Sequence, residues 1–398
     1  MTPPPDGRPA PPAFQVMVKP HGPACNLACR YCYYLDKEAL YPGSDLRMGD
    51  EALEELTRQL IAAQCRPEAT FSWQGGEPTL MGLEFFERAV AFQHKHARPG
   101  MRIYNALQTN GVLLDDEWCS FFKRHRFLVG VSLDGPQECH DAYRVNRGGG
   151  PTFERVMAGL AALRRHGVEV NILTTVHAAN AGRPVEVYRF LRDQTRAQFI
   201  QFIPIVEWET GPGCPPGRRV TGRSVTGRQY GEFLIGVFDE WVRHDVGRVF
   251  VQLFDVALGV WLGQPAGLCT FQETCGQGLV MEHNGDVYAC DHFVEPRYRL
   301  GNIRDRSLAE MAGSKRQQRF GMAKGEALPG ACRRCSVRWA CNGECPKNRF
   351  GPTAQKPGLS ALCEGYKAFF GHVDPAMQFM AAAIRAGRPP SEIMAPLT

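Results

Sequence analysis

No run of apolar residues in this sequence approaches the roughly 20 needed to cross a bilayer, and the N-terminus lacks the basic-then-apolar pattern of an export signal. The expected location is the cytoplasm. Charge of one sign is scarce as well: 46 Lys and Arg are spread among 41 Asp and Glu, a formal net charge of +5, so there is no footprint for nucleic acid or a membrane surface. What the chain has is length and cysteine. At 398 residues and 44% hydrophobic, it can build a full core and more than one domain, since single cores rarely grow past about 250–300 residues. Its 15 cysteines fit a disulfide framework poorly, because disulfide-rich domains are small and an odd count leaves a thiol over. In a cytosol-like setting, cysteines this closely spaced are metal ligands or catalytic groups.

The first twelve residues, Met1 to Pro12, hold six prolines and little that could be buried, which predicts a disordered or extended tail. From Phe14 to about Val246, short β-type runs alternate with helical patterns, the signature of successive βα units around a parallel sheet. The expected strands are Phe14 to Val18, Thr70 to Gln74, Ile103 to Gln108, Leu128 to Leu133, Glu169 to Val176 and Phe199 to Ile203. Six such units make an α/β partial barrel of the TIM type. Between them, Glu154 to His166 repeats Val156, Leu160 and Leu163 at helical spacing. A Gly-, Pro- and Arg-rich segment, Thr210 to Gly227, reads as a mobile loop before the helical run Gln229 to His244. After about Cys269 the texture changes to turns, short β pieces and clustered cysteines, a second domain with a metal-stapled core. The resulting division is a barrel over 13–246, a connector over 247–268, a cysteine-rich domain over 269–366 and a C-terminal helix and tail over 367–398.

Cys25, Cys29 and Cys32 form C-x3-C-x2-C directly after the first expected strand. Three thiolates can hold three irons of a cubane, whereas an all-cysteine cluster takes four, so one iron stays open to a chelating ligand. A zinc site completed by His21 is the competing reading. Gln74-Gly75-Gly76-Glu77-Pro78 closes the second strand, where two glycines let backbone approach a ligand and the acid can accept from an ammonium. Gln108-Thr109-Asn110-Gly111 and Ser132-Leu133-Asp134-Gly135 close two more strands, at the mouth where barrel active sites lie. The cysteine spacing and the Gly-Gly-Glu-Pro element resemble the radical S-adenosylmethionine (SAM) superfamily, in which the open iron binds the amino and carboxylate groups of SAM. That resemblance implies SAM contacts from Tyr31, Gly75, Gly76, Glu77, Ser132 and Arg144, and an apolar one from Val206.

Eight further cysteines, Cys269, Cys275, Cys290, Cys332, Cys335, Cys341, Cys345 and Cys363, equal the ligand set of two four-cysteine clusters. Paired zinc ribbons would use the same spacing. The run Cys332 to Cys345 is similar to the SPASM module of peptide-modifying radical SAM enzymes, which implies interleaved ligands: Cys269, Cys275, Cys290 and Cys345 for one cluster, Cys332, Cys335, Cys341 and Cys363 for the other. With the first trio this makes three 4Fe-4S clusters. Of the remaining four, Cys65 and Cys119 read as helical packing residues, and Cys139 and Cys214 as loop thiols.

Within that class the chain from about Phe14 to Tyr366 resembles the anaerobic sulfatase-maturating enzymes, through Cys29-Arg30-Tyr31-Cys32-Tyr33-Tyr34, Gln201 to Glu207, Gly285 to Asp291 and Tyr298 to Ile303. The resemblance implies oxidation of a Cys or Ser in a C/S-x-P-x-R sulfatase segment to Cα-formylglycine. A 5′-deoxyadenosyl radical takes the Cβ hydrogen, and an auxiliary cluster takes an electron. It further implies an unfolded or nascent sulfatase as substrate and an electron donor such as flavodoxin or ferredoxin. Losing hydrogen and an electron from Cβ yields an aldehyde only if the hydroxyl or thiol also loses its proton, and Asp291, beside Cys290, is the candidate general base. A turn aspartate bonded to local backbone would look the same in sequence. Tyr34 either lines the substrate channel or packs in the core. A SPASM enzyme that cross-links or epimerises a ribosomally made peptide would keep the clusters without needing Asp291, and a zinc-stabilised interaction module is the remote alternative.

Overall fold

All six expected strands form, within a residue or two of the ranges read from the sequence: β1 Gln15–Lys19, β2 Glu68–Trp73, β3 Arg102–Thr109, β4 Phe127–Ser132, β5 Glu169–Val176 and β6 Phe199–Pro204. The computed structural model describes residues 13–210 and 217–395. The proline-rich tail, residues 211–216 of the Gly- and Pro-rich loop with Cys214, and the last three residues lie outside the described residues. Two units, each assembled from separated stretches, make up the rest. One comprises 13–131, 144–169 and 275–321, and the other 132–143, 170–210, 217–274 and 322–395.

In the first unit β1, β2, β3 and β4 pair in parallel in chain order, with Met17 opposite Ser72, Phe71 opposite Asn105 and Leu107 opposite Val129. In the second, β5 and β6 pair in parallel and a two-residue strand, β7 Phe250–Val251, follows on β6. Three strands of the cysteine-rich region then extend the first unit's sheet: β8 Gly278–Glu282, β9 Asp286–Tyr288 and β10 Arg299–Asn302. β8 lies parallel to β1 from Gln15↔Gly278 to Lys19↔Glu282, and β9 and β10 continue antiparallel. This pairing sets the loop after β1 and the loop after β9 on one sheet.

Aromatic rings dominate the first unit's core. Trp73, Phe85, Phe86, Phe122 and Phe127 are buried, and Phe86 meets Trp73 and Trp118 edge to face at 5.6 and 5.7 Å. Each buried ring contributes about 1.5–3 kcal/mol through lost water contact. The Trp73 indole N–H needs a partner there and donates to Asn105 Oδ1 at 2.8 Å. The helix Asp116–Arg124 starts where Asp115 accepts from the Trp118 N–H.

In the second unit the helix Gly227–His244 opens with a Thr226–Gln229 capping box. It packs along Cys363–Arg385, the C-terminal helix, which begins at a cysteine expected to bind a cluster. Glycine makes the crossing possible: a Cβ on Gly365 would stand 2.1 Å from the Gly227 carbonyl oxygen. Tyr230 meets Tyr366 edge to face at 5.6 Å, and Phe254 stacks on Phe369 at 5.8 Å.

Two cysteine expectations are corrected. Cys65 is exposed beyond the helix that ends at Ala62. Cys139 is buried in the short helix Gln137–Asp141, 3.4 Å from the Arg183 guanidinium. Cys119 is buried in a helix as expected. No described helix is long and apolar enough to cross a membrane.

Gly365→Ala should lower stability by about 1–3 kcal/mol, the usual range for overpacking. Gly371→Ala in the same helix, where a Cβ meets nothing within 4 Å, should be neutral or stabilising by up to about 1 kcal/mol. Denaturant midpoints of the two variants check the crossing, and equal midpoints would contradict it.

Candidate active site

The loop after β1 carries Cys25, Cys29 and Cys32, and the first unit grips its backbone from several directions. The Gly76 N–H donates to Gly22 O at 2.8 Å and the Glu77 N–H to Ala24 O at 2.9 Å. The Ala28 N–H donates to Val145 O at 2.9 Å, and Arg147 Nε reaches Cys25 O at 2.7 Å. Asn110 Nδ2 donates to Asn26 Oδ1 at 2.7 Å and lies 3.8 Å from the Cys25 sulfur. The Arg144 guanidinium sits 5.5 Å from the Tyr31 ring centroid, a cation–π contact. Tyr31, Gly75, Gly76, Glu77 and Arg144 are thus all held around the cysteine loop. Ser132, at the end of β4, and the buried Val206, after β6, belong to the second unit.

Glu77 is tied into the strand ends beside the cysteine loop. Its carboxylate is buried and accepts from the Thr79 N–H at 3.0 Å, the Thr79 hydroxyl at 2.7 Å, the Thr109 hydroxyl at 2.8 Å and the Asn110 N–H at 2.8 Å. Burial raises its pKa even against these donors. Three of these donors meet Oε1 and one meets Oε2, so Glu77 braces the ends of β2 and β3. Gly76 is likewise required by protein: a Cβ there would lie 2.0 Å from Ala24 O.

Burial, then the charges of Glu77, Cys29 and Cys32, push the Cys25 thiol up to about 12. Such a thiol becomes a ligand only when a cationic group compensates the thiolate. His21, which a zinc site would recruit, is engaged with Leu46 O at 2.9 Å. Three thiols on one loop fit a cluster with one open iron.

In the second unit Cys332, Cys335, Cys341 and Cys363 line one cavity of about 340 Å³. A four-cysteine iron–sulfur cluster needs such room. Burial first, then Glu344, Cys363 and Cys332, push Cys341 up to about 12.

The other four-cysteine set is built as two pairs. Cys275 and Cys290 belong to the first unit, where Gln317 Nε2 donates to Gly276 O at 2.8 Å and Ala289 O at 3.0 Å, clamping the residues that adjoin them. Cys269 and Cys345 belong to the second, where the buried Lys324 ammonium donates to Cys269 O at 2.7 Å, Thr270 O at 2.9 Å and Gln272 O. Cys345 is pushed up to about 12 by burial, Glu344 and Cys269. Neither Gln317 nor Lys324 stood out in the sequence. The signal was their spacing with Gly321 at i, i+4 and i+7 on the helix Lys315–Glu326, a polar and small face where an apolar one is the rule.

Asp291 follows Cys290 and opens a short 3-10 turn, Asp291–Phe293. Its Oδ2 accepts from the Tyr33 hydroxyl at 3.2 Å, and its Oδ1 lies 3.5 Å from the Cys290 sulfur. Burial pushes the carboxyl up, but His292, Lys19, Cys290 and Tyr33 outweigh it and hold Asp291 at about 2. These partners are side chains, one of them on the leading cysteine loop, and the arrangement differs from a turn aspartate bonded to local backbone. Tyr34 takes the core alternative: it is 3% exposed, packs with Val280, Tyr288 and Val294, and donates to Glu282. The Lys19 ammonium sits 4.4 Å from its ring centroid. Tyr33, 40% exposed, is the aromatic that solvent and substrate can reach.

Known proteins share these features. Family profiles described as the radical SAM superfamily and an iron–sulfur cluster-binding domain match residues 19–191 and 269–336. A serine-type anaerobic sulfatase-maturating enzyme of Bacteroides thetaiotaomicron is 47% identical over 390 residues, covering 95% of this chain and 94% of its own. A cysteine-type one of Clostridium perfringens is 32% identical, covering 92% and 98%. The solved structure of native anSMEcpe with bound AdoMet and the Cp18Cys peptide superposes with a TM-score of 0.83 at 32% identity, covering 93% of this chain and 99% of that one.

Lys324→Met would remove three hydrogen bonds to carbonyls, and at about 1 kcal/mol each should cost about 3 kcal/mol of stability. Iron retained by the anaerobically purified variant should fall with it. An unchanged denaturant midpoint and full iron content would show that Lys324 does not hold the Cys269 loop.

Proposed function

Because the chain belongs to the anaerobic sulfatase-maturating enzymes, radical SAM enzymes with a SPASM domain, we propose that it oxidises one Cys or Ser in a sulfatase C/S-x-P-x-R segment to Cα-formylglycine. Cys25, Cys29 and Cys32 would hold the cluster that binds SAM, with Tyr31, Gly75, Gly76, Ser132, Arg144 and Val206 along the cofactor and Glu77 bracing the loop. Cys269, Cys275, Cys290 and Cys345 would hold one auxiliary 4Fe-4S cluster, and Cys332, Cys335, Cys341 and Cys363 another, making three. When bound, SAM supplies a carbon radical able to take a hydrogen atom from the substrate Cβ, and the auxiliary clusters supply a sink for the electron left behind. The 13–246 barrel would carry the first site and the 269–366 domain the auxiliary ones.

The residue chemistry turns on Asp291, and its hydrogen bond from Tyr33 is the observation that carries the reading. Converting the Cβ–O or Cβ–S single bond to a double bond removes a hydrogen atom, an electron and a proton, and Asp291 takes the proton. An aspartate, with an ordinary pKa of about 4, is too weak a base for an ordinary hydroxyl. Asp291 therefore acts once hydrogen has left Cβ, when the neighbouring O–H or S–H is far more acidic. With Cys the resulting thioaldehyde is hydrolysed to the aldehyde. Tyr33 fixes the carboxylate between the leading cysteine loop and Cys290.

The substrate is an extended sulfatase segment reached before that protein has folded, and the reducing electron comes from a donor such as flavodoxin or ferredoxin in the cytoplasm. The serine-type relative at 47% identity favours Ser as the residue presented. Anaerobic incubation of reconstituted enzyme with SAM, reductant and Ser-x-Pro-x-Arg or Cys-x-Pro-x-Arg peptides should yield the mass loss of aldehyde formation. Intact peptide beside cleaved SAM would point to another peptide modification.

Asp291→Asn should lower aldehyde formation by about 10²-fold or more, the usual contribution of a general base, while SAM cleavage continues. Tyr33→Phe should lower it about tenfold, in line with one hydrogen bond to a charged group. Aldehyde formation at the parent rate in Asp291→Asn rules this carboxylate out as the base.

A further inference from the structure

The small net charge of the chain is not spread along it. Residues 331–367 hold seven Lys or Arg against two Asp or Glu, an excess of five that equals the net charge of all 398 residues. The rest of the chain is balanced. This segment also carries Cys332, Cys335, Cys341 and Cys363, the thiols that line the 340 Å³ cavity, and Arg334, Arg338 and Lys367 line the same cavity. Those three cations are exposed, as are Arg333 and Lys356 nearby. The acids do little to offset them. Glu344 is buried and accepts from Asn348 and Ser360 at 2.8 Å each, which leaves Glu364 as the exposed one in the segment.

An apolar anchor stands in the same patch. Trp339 is 50% exposed, although Trp261 packs edge-on against it at 4.4 Å. A rigid exposed tryptophan flanked by arginines is the composition of an interface hot spot. Arg349, another cation close to the thiols, is turned inward onto the carbonyls of Gly343, Lys324 and Glu344.

We infer that the basic rim of Arg334, Arg338 and Lys367, with Trp339, is the docking surface for a small acidic one-electron carrier protein, which collects at Cys332, Cys335, Cys341 and Cys363 the electron released by each substrate oxidation. The inference rests on the reading of those thiols as ligands of an auxiliary iron–sulfur cluster. The redox step balances as a one-electron exchange: the cluster returns to its oxidised state as the carrier's flavin or iron–sulfur centre is reduced, with no bond made or broken. A concentrated basic rim steers an acidic partner into encounter and makes the rate depend on salt. It has the further effect of directing the partner to the cavity and away from the electrically balanced remainder of the surface.

The test uses fully loaded enzyme and oxidised flavodoxin as the probe. Iron, sulfide and electron paramagnetic resonance first establish the cluster in every variant, and a protein lacking it refutes the ligand reading and the docking inference together. With the cluster present, flavodoxin reduction is followed by stopped flow at low and high salt. The triple variant Arg334→Glu, Arg338→Glu, Lys367→Glu should reduce flavodoxin at least tenfold more slowly at low salt and lose most of the salt dependence, while its iron and sulfide content stays at the parent level. Arg66→Glu, Arg124→Glu, Arg243→Glu, an equal change of net charge at exposed positions elsewhere, should behave as the parent. Trp339→Ala should weaken flavodoxin binding with little change in the salt slope. Equal losses in the two triple variants would reduce the effect to overall charge, and a rim variant with parental rate and salt dependence would place the docking surface elsewhere. Either result overturns the inference.

Discussion

A buried carboxylate organises the catalytic end of the first unit. Glu77 is cut off from water, so each lone pair must find a protein donor or the fold loses several kcal/mol. Its four donors come from its own turn and from the end of β3. Its backbone N–H, with that of Gly76, is spent on the loop that carries Cys25, Cys29 and Cys32. The ends of β1, β2 and β3 are thereby locked into one arrangement. Three flexible thiols acquire fixed positions because a neighbouring acid leaves no alternative hydrogen-bonding pattern. The 2.0 Å approach at Gly76 shows how close the strand ends must come.

The strands were legible because β-branched and aromatic runs alternate with helical periodicity, and that pattern needs no tertiary information. The pairing of β8 with β1 was not legible, since which strand covers a sheet edge depends on register and packing between distant segments. The cysteine clusters were visible from spacing. The means of holding them were not: Gln317 and Lys324 act on backbone carbonyls, which leave no mark in the sequence. Two adjacent tyrosines show the same limit. Tyr33 and Tyr34 are chemically alike, and only the fold decides that one is core and the other faces Asp291. Cys139 lies in a helix of five residues, too short for a periodic signal.

The thiols share an electrostatic theme. Cys25, Cys341 and Cys345 sit where burial and nearby acids keep them protonated, yet Arg147 pins the Cys25 carbonyl and Arg349 pins those of Gly343 and Glu344, between the other two. The protein spends its rigidity on backbone and leaves the thiolate charge to be neutralised by iron. Asp291 is treated in the opposite way: His292, Lys19 and Tyr33 keep it ionised. The chain therefore contains both groups that resist negative charge and a group that retains it.

The order of synthesis sets a condition on this fold. β1 is made long before β8, and one of its edges is covered only when β8 arrives, with Gln15 waiting for Gly278 and Lys19 for Glu282. Until then the nascent chain displays an open strand edge flanked by reactive sulfur, the kind of surface that recruits stray strands. A ribosome paused anywhere before β8 would hold an intermediate exposed to both aggregation and oxidation. The sheet of the first unit therefore closes only after the chain has been made as far as Glu282.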